Sequence, residues 1–179
     1  MLYIAHYASP VGNILLAAKN NALVGLWLHK KHYSSAFTEE TTEQEDYPIL
    51  QQTKKWLDAY FAGEKPKLSS LKLAPTGSAF AKQVWKLLEK IPYGKTVTYG
   101  ELAQKIAQKN GLAKMSAQAV GGAVGHNPIS IIVPCHRVIG AGGNLTGYGG
   151  GMANKIKLLK HEGAWQKVFF VPKKAVSAK

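Results

Sequence analysis

Residues 131 to 140 read IIVPCHRVIG and contain the only cysteine and the only arginine of the 179-residue chain. A thiol with its ordinary pKa of about 8.5 is only a few per cent thiolate at neutral pH, so Cys135 can act as a nucleophile only if a neighbour takes its proton or steadies its anion. His136 is the adjacent base. Successive side chains of an extended strand point to opposite faces. The pair can therefore cooperate only if the chain leaves extended geometry after Pro134, or if a water bridges them. A third group must then orient the imidazole, and beyond residue 75 the only carboxylates are Glu89, Glu101 and Glu162. Glu162, within LKHEG, follows the cysteine at a distance that permits folding back. A Cys-His dipeptide also arises by chance, and a lone cysteine is commonly a small buried hydrophobe, so the surrounding sequence decides.

One cysteine excludes an internal disulfide and a multi-cysteine zinc site, and no metal or cofactor is expected. A chain of this length with 46% hydrophobic residues has enough apolar material for one compact unit, or two small ones. No segment approaches the roughly 18 unbroken apolar residues of a membrane span, and MLYIAHYASPVGN lacks the basic and apolar regions of a signal peptide. A cytoplasmic address and no membrane partner are expected. The net charge of +13 is unevenly placed. Residues 1–75 carry 8 Lys against 7 acids, whereas residues 76–179 carry 14 Lys and 1 Arg against 3 Glu. The half holding Cys135 is thus the half that attracts polyanions, nucleic acid first and an anionic membrane surface second.

Several elements must position these residues. LYIAHY (2–7) and GNILLAAKNNALVGLWLH (12–29) read as short strands with a hairpin turn at Lys19 to Asn21. TEETTEQEDYP (38–48) reads as an acidic surface loop. ILQQTKKWLDAYFAG then places Leu50, Trp56 or Leu57, and Tyr60 or Phe61 at helical spacing, ending at Gly63. EKPKLSSLKLAPTG has the composition of a connector, which puts a boundary near residue 75. The division expected is an N-terminal domain over 1–75, a second domain over 76–165 and a basic tail over 166–179. In the second domain, Phe80, Val84, Leu87, Leu88 and Ile91 form one face of a helix that Ser78 can cap. Thr98 to Glu101 fits a capping box opening a helix over 99–108, and Ser116 can cap a third helix, AQAVGGAVGHN. The last two outline a helix-turn-helix with a connection, 109–115, longer than usual. The third helix has almost no side-chain bulk. Packing against a neighbouring helix accounts for that, and so does close approach of its backbone to a narrow groove.

The box PCHRV, preceded by AVGGAVGHNPISIIV and followed by GYGGG and HEG, resembles the O6-alkylguanine-DNA alkyltransferases, also called methylated-DNA–protein-cysteine methyltransferases. The match runs from about Phe80 to Gly163; residues 1–75 match in general character only. The resemblance implies an α/β (α+β) protein: a small strand-rich ribonuclease H-like N-terminal domain, then a helical domain with a helix-turn-helix. It implies a single-turnover transferase that binds double-stranded DNA containing O6-alkylguanine, as a monomer, through the minor groove. The damaged base is flipped out and its alkyl group moved irreversibly to the protein's own cysteine, with O4-alkylthymine a second candidate substrate that the sequence leaves open. By that resemblance Cys135 is the acceptor, His136 its water-assisted base and Glu162 the group holding the imidazole. Tyr99 donates to guanine as it leaves, and Asn127 braces the helix-turn-helix against the active-site segment. Tyr148 walls the pocket, Gly149 offers its amide to O6, and the carbonyls of Cys135 and Val138 accept from the exocyclic amine. Lys114, Gln118, Ala119 and Gly122 face DNA.

Many family members carry an arginine where this chain has Gln118, so the lysines are expected to supply more of the affinity. Two other readings compete. A non-catalytic binder of alkylated DNA has no need of the thiol. A cysteine hydrolase requires an oxyanion hole and a deacylating water, whereas a thioether has no easy hydrolytic exit.

Overall fold

The computed structural model describes residues 1–28 and 40–173, which divide into two compact units. Unit 1 comprises Met1–Thr76 with Pro128–Ile132, and unit 2 comprises Gly77–Asn127 with the chain from Val133 onward. His29, Thr38 and Glu39, at the edges of two segments read from sequence, lie outside the described residues.

Unit 1 is a four-stranded sheet of order β3-β2-β1-β4. β1 (Leu2–Ser9), β2 (Gly12–Lys19) and β3 (Ala22–Trp27) form an antiparallel meander. The turn between β2 and β3 passes through Asn20 and Asn21 at φ 51° and 52°. Two successive left-handed residues match the right-handed twist of a hairpin, and asparagine tolerates that region better than most side chains. The acidic segment expected to be a loop instead contains a short strand, β4 (Thr41–Glu43), parallel to Leu2–Ile4. Its side chains are all exposed, so the pairing is made by backbone alone and leaves no apolar alternation to read. Helix α1 (Pro48–Phe61) buries Ile49, Leu50, Trp56, Leu57 and Tyr60, and Gly63 follows it at φ +85°. The connector adds to the sheet edge, since Leu23 donates to the Lys72 carbonyl and Ala74 donates to that of Leu23, both at 2.8 Å. On the same unit, Leu26 donates to Pro128 O at 2.8 Å and Ser130 donates to Leu26 O at 3.1 Å.

Unit 2 packs α2 (Ala79–Leu88), α3 (Tyr99–Lys109) and α4 (Ala117–Gly125) against one another around Val84, Leu88, Leu102, Ile106, Val120 and Val124. All three expected N-caps are in place: Ser78, Thr98 and Ser116 accept from the amides of Ala81, Glu101 and Ala119. At Thr98 the box is complete, with Glu101 returning a bond to the Thr98 amide. Trp85, off the stripe read from sequence, is buried as well and its indole donates to Ala123 O at 2.9 Å. The connection between α3 and α4 is 110–116, because α3 continues to Lys109.

A two-residue ladder is the element most relevant to the chemistry. β5 (Val97–Thr98) runs parallel to β6 (Val138–Ile139) and so sets the start of α3 beside the chain that leaves Cys135. Helix α5 (Met152–His161) follows, carrying Glu162 as its C-cap. The first residues of the stretch expected as a basic tail, from 166, contact the second unit. Phe169 is buried with Ile139, Leu145, Leu159 and Ala164, and Leu145 donates to Phe170 O, so an apolar anchor holds the chain through that point. The residues from 174 lie outside the described chain.

Replacing Thr98 with Ala removes the acceptor that satisfies an otherwise unpaired α3 amide. The expected loss is about 1 kcal/mol of unfolding free energy. It is read as a lower denaturant midpoint at unchanged slope; an unchanged midpoint would show the capping box to be dispensable.

Candidate active site

Cys135 sits on a turn. Pro134 adopts φ −82°, ψ 67°, and Cys135 N donates back to Val133 O at 2.8 Å, which is an inverse γ-turn. Cys135–Arg137 then form one turn of 3-10 helix, closed by the Arg137 amide on Pro134 O at 3.0 Å. The chain thus leaves extended geometry after Pro134, the condition under which Cys135 and His136 are no longer forced to opposite faces. Cys135 is buried, at 6% exposure. The Val133 carbonyl accepts a second bond, from Asn127 Nδ2 at 2.8 Å, so the end of α4 is fastened two residues ahead of the thiol.

His136 is fully buried, at 0% exposure, and its Nε2 lies 2.7 Å from Glu162 Oε1. Of the three candidate carboxylates only Glu162 reaches it; Glu89 pairs with Lys86 and Glu101 is spent in the capping box. Glu162 is also gripped by Arg137, whose Nε donates to Oε2 at 2.8 Å and Nη2 to Oε1 at 2.9 Å, with Nη1 donating to Ile91 O at 2.6 Å. Gly94 N adds a bond to Oε2 at 3.3 Å. Burial alone would push this carboxyl up. The hydrogen bonds from His136 and Arg137, together with the guanidinium charge, more than offset it and hold the carboxyl well below the usual range. Burial pushes the His136 imidazole down, and the charges of Arg137 and Lys155 act the same way against the raising effect of Glu162. The ring is therefore neutral at pH 7. An ionised carboxylate only accepts, so the single ring proton resides on Nε2 and Nδ1 presents its lone pair. Nδ1 is buried and has no hydrogen-bond partner among the described residues.

Tyr99 opens α3, and its hydroxyl donates to Thr146 O at 3.2 Å. Burial and, secondarily, the charge of Cys135 push it up to about 12, so it is a donor at neutral pH and lies within the electrostatic reach of the thiol. Val138 is buried; its amide donates to Cys135 O, and its carbonyl accepts from Lys155 Nζ at 2.6 Å. Tyr148 is half-buried and Gly149 exposed, in a turn closed by Gly151 N on Tyr148 O at 2.9 Å. Arg137 and Lys155 belong to the basic half of the sequence, yet both are buried, and a sum of charges carries no signal of that.

Lys114, Gln118, Ala119 and Gly122 are exposed, the last three on the face of α4 opposite the buried Val120, Ala123 and Val124. A side chain at Gly122 or Gly125 would meet nothing within 4 Å among the described residues, whereas one at Gly121 would touch the Tyr99 ring at 3.7 Å. Packing within the chain therefore does not require the two outward glycines. A separate groove of about 550 Å³, lined by Leu87, Ile91, Val97, Leu102 and the lysines 90, 105 and 109, includes none of the thiol-site residues. No group of three or more His, Cys, Asp or Glu side chains suited to a metal occurs among the described residues.

Glu162→Gln preserves shape but leaves Arg137 buried without its counter-charge, at an expected cost of about 3 kcal/mol. Because the folded carboxyl titrates below its unfolded value of about 4.3, its contribution is complete above that value and fades as pH falls. The stability gap between wild type and variant is expected to be constant above about pH 5 and to narrow below it. A gap indifferent to pH would mean that Glu162 is not held as the anion.

The family model for the 6-O-methylguanine DNA methyltransferase DNA binding domain matches residues 79–164, and that for its ribonuclease-like domain matches residues 2–75. A methylated-DNA–protein-cysteine methyltransferase of Methanosarcina acetivorans is 44% identical over 91% of this chain and 99% of its own. One from Haemophilus influenzae is 39% identical over 90% of this chain and 86% of its own. Among solved structures, Mycobacterium tuberculosis OGT in complex with DNA aligns with TM-score 0.78 at 40% identity, over 90% of this chain and 93% of that one. Both units thus have counterparts in one family, and the resemblance first carried by PCHRV extends to the strand-rich N-terminal half: the chain belongs to the methylated-DNA–protein-cysteine methyltransferases.

Proposed function

We propose that this protein repairs duplex DNA by transferring the alkyl group of O6-alkylguanine, irreversibly and once per molecule, to Cys135. The observation that carries the reading is the neutral His136 whose Nδ1 is buried and unpartnered while Nε2 is held by Glu162. It supplies a base aimed away from its orienting carboxylate, on the same 3-10 turn as the only thiol.

In this reading a water carries the Cys135 proton to Nδ1, and the resulting imidazolium is steadied by Glu162. The thiolate attacks the alkyl carbon in line. The S–C bond forms as the C–O6 bond breaks, its electron pair passes into the guanine, and Tyr99 hydrogen-bonds to the departing base, which ends neutral after taking up a proton. Gly149 N donates to O6, and the Val138 and Cys135 carbonyls read the exocyclic amine with Tyr148 as the pocket wall. Asn127 keeps α4 and the thiol turn in fixed relation. The base must leave the stack, since its alkyl group is out of reach of a buried thiol within the duplex.

Lys114, Gln118, Ala119 and Gly122 meet DNA along the thin face of α4. Its outward glycines let backbone approach the minor groove. Gln118 fills the space of the flipped base and hydrogen-bonds to the orphaned cytosine without adding charge, which leaves phosphate attraction to lysines. The domains are read as 1–75 and 76–165 with a basic extension beyond, acting as a monomer in the cytoplasm. No helix among the described residues is long and apolar enough to cross a membrane.

Intact-protein mass after incubation with a short duplex containing one O6-methylguanine tests this directly. Wild type is expected to gain one methyl group and Cys135→Ala none. Binding without any gain would favour a lesion binder, and repeated turnover would favour a hydrolase. Duplex affinity is expected to fall steeply with salt as lysine–phosphate contacts release counterions. A flat response would remove the electrostatic account of DNA binding.

A further inference from the structure

The loop after α2 is fastened to the buried charges behind His136. Lys95 N donates to Pro92 O at 3.1 Å, which closes residues 92–95 into a tight turn. Its third position holds Gly94 at φ +74°, a conformation that suits glycine. A Cβ there would stand 3.0 Å from the Glu162 carbonyl oxygen, so the missing side chain also lets the turn lie against the end of α5. Two backbone groups of the loop reach the charges directly: Ile91 O accepts from Arg137 Nη1, and Gly94 N donates to Glu162 Oε2.

Tyr93 is the side chain between those two groups, and it is half-buried. Its hydroxyl donates to the carbonyl of His161, the residue before Glu162, at 3.4 Å. Its ring lies beneath the Arg137 guanidinium, with Cζ 5.7 Å from the ring centroid. Arg137 already directs Nε and Nη2 to Glu162 and Nη1 to Ile91 O. Those bonds hold the planar guanidinium by its edge, whereas a π face attracts the cation from one side and keeps water off that side. Burial, then the Glu162 charge, pushes the Tyr93 phenol up against the opposite pull of Arg137, so the ring beneath the cation is neutral.

We infer that Tyr93 is a positioning residue for alkyl transfer: its ring keeps the Arg137 guanidinium forked on Glu162, and through that carboxylate holds His136 as the Nε2–H tautomer with a basic Nδ1. This rests on the reading of Cys135 as the alkyl acceptor and His136 as its base. No bond forms or breaks at Tyr93 and it exchanges no proton; it acts through Arg137 alone. Without the ring, water reaches the guanidinium and the fork weakens in the higher local dielectric. The carboxyl and imidazole then share the proton between them, and the nitrogen that should receive the Cys135 proton is no longer fixed.

The experiment compares Tyr93→Phe, which keeps the ring, with Tyr93→Leu, which keeps apolar bulk without a π face. Single-turnover methyl transfer from an O6-methylguanine duplex is measured beside heteronuclear NMR of the DNA-free protein labelled at its histidine nitrogens, the His136 signals being assigned by their loss in His136→Gln. Tyr93→Phe is expected to transfer within about twofold of wild type, and Tyr93→Leu about tenfold more slowly at unchanged duplex affinity. In Tyr93→Leu the two His136 nitrogens, distinct in wild type as protonated Nε2 and bare Nδ1, are expected to move toward a common averaged value. A folded Tyr93→Leu whose His136 nitrogens stay as in wild type would overturn the proposal, since slower transfer with an unchanged tautomer is a packing effect. Should Tyr93→Leu fail to fold, phenylalanines carrying one, two and three ring fluorines are placed at position 93, which drains the π face at nearly constant shape. Transfer is then expected to fall stepwise, by about fivefold over the series, and a flat series is equally fatal. A wild type that takes no methyl group from the duplex would sink the repair reading, while the His136 signals would still report whether the ring fixes the tautomer.

Discussion

The site depends on one buried carboxylate. Glu162 accepts from His136, twice from Arg137 and from the Gly94 amide, so its oxygens join the thiol turn, the loop after α2 and the end of α5. Arg137 makes the difference between a carboxylate and a carboxylic acid at that position. With the guanidinium forked across it, the anion is the stable form in spite of burial, and an anion leaves His136 no choice of tautomer. With His136 alone, carboxyl and imidazole would share a proton, and the identity of the basic nitrogen would be unsettled. The only arginine of the chain thus acts two bonds away from the chemistry, by fixing which ring nitrogen offers a lone pair.

Backbone geometry supplies what electrostatics does not. A continuous strand through ISIIVPC would alternate its side chains and separate Cys135 from His136. Instead the chain turns tightly twice. Ile131 adopts φ 69°, a conformation that costs a β-branched residue about 1–3 kcal/mol, with Ile132 N bonded to Ser130 O at 2.8 Å. Pro134 then makes the second turn, which the doubly bonded Val133 carbonyl stabilises. Such strain persists only where the flanking residues are held, and Pro128 and Ser130 are held by their ladder to Leu26 while Asn127 secures Val133.

Much of this was legible in the sequence because it is local. Caps announce themselves by residue type at fixed offsets, which is why Ser78, Thr98 and Ser116 could be read in advance, and the Asn20 and Asn21 turn likewise. The choice of Glu162 from three carboxylates was open to chain distance, and Glu101 was already claimed by its capping box. What escaped is what depends on distant partners. β4 pairs by backbone alone; Trp85 is buried because Ala123 O accepts its indole; Phe169 completes a cluster built from β6, α5 and the loop between them. The largest omission was the interior charge. Lysine is almost always at the surface, so Lys155 was counted with the DNA-attracting residues, and nothing adjacent in sequence distinguishes it from Lys157.

Interior charge governs how the proposed acid–base pair operates. Moving a proton from thiol to imidazole creates an anion on sulfur and a cation on His136, and a nearby positive charge favours the first while opposing the second. Arg137 and Lys155 both push the imidazole toward its neutral form, which keeps it available as a base but does not help it hold the proton it receives. Glu162, bound to Nε2, faces the ring and serves the cationic half of that ion pair in the proposed transfer. Once the alkyl group is on sulfur the anion is gone for good, because a thioether offers no leaving group to water. The proposed transfer therefore needs neither an oxyanion hole nor a second water.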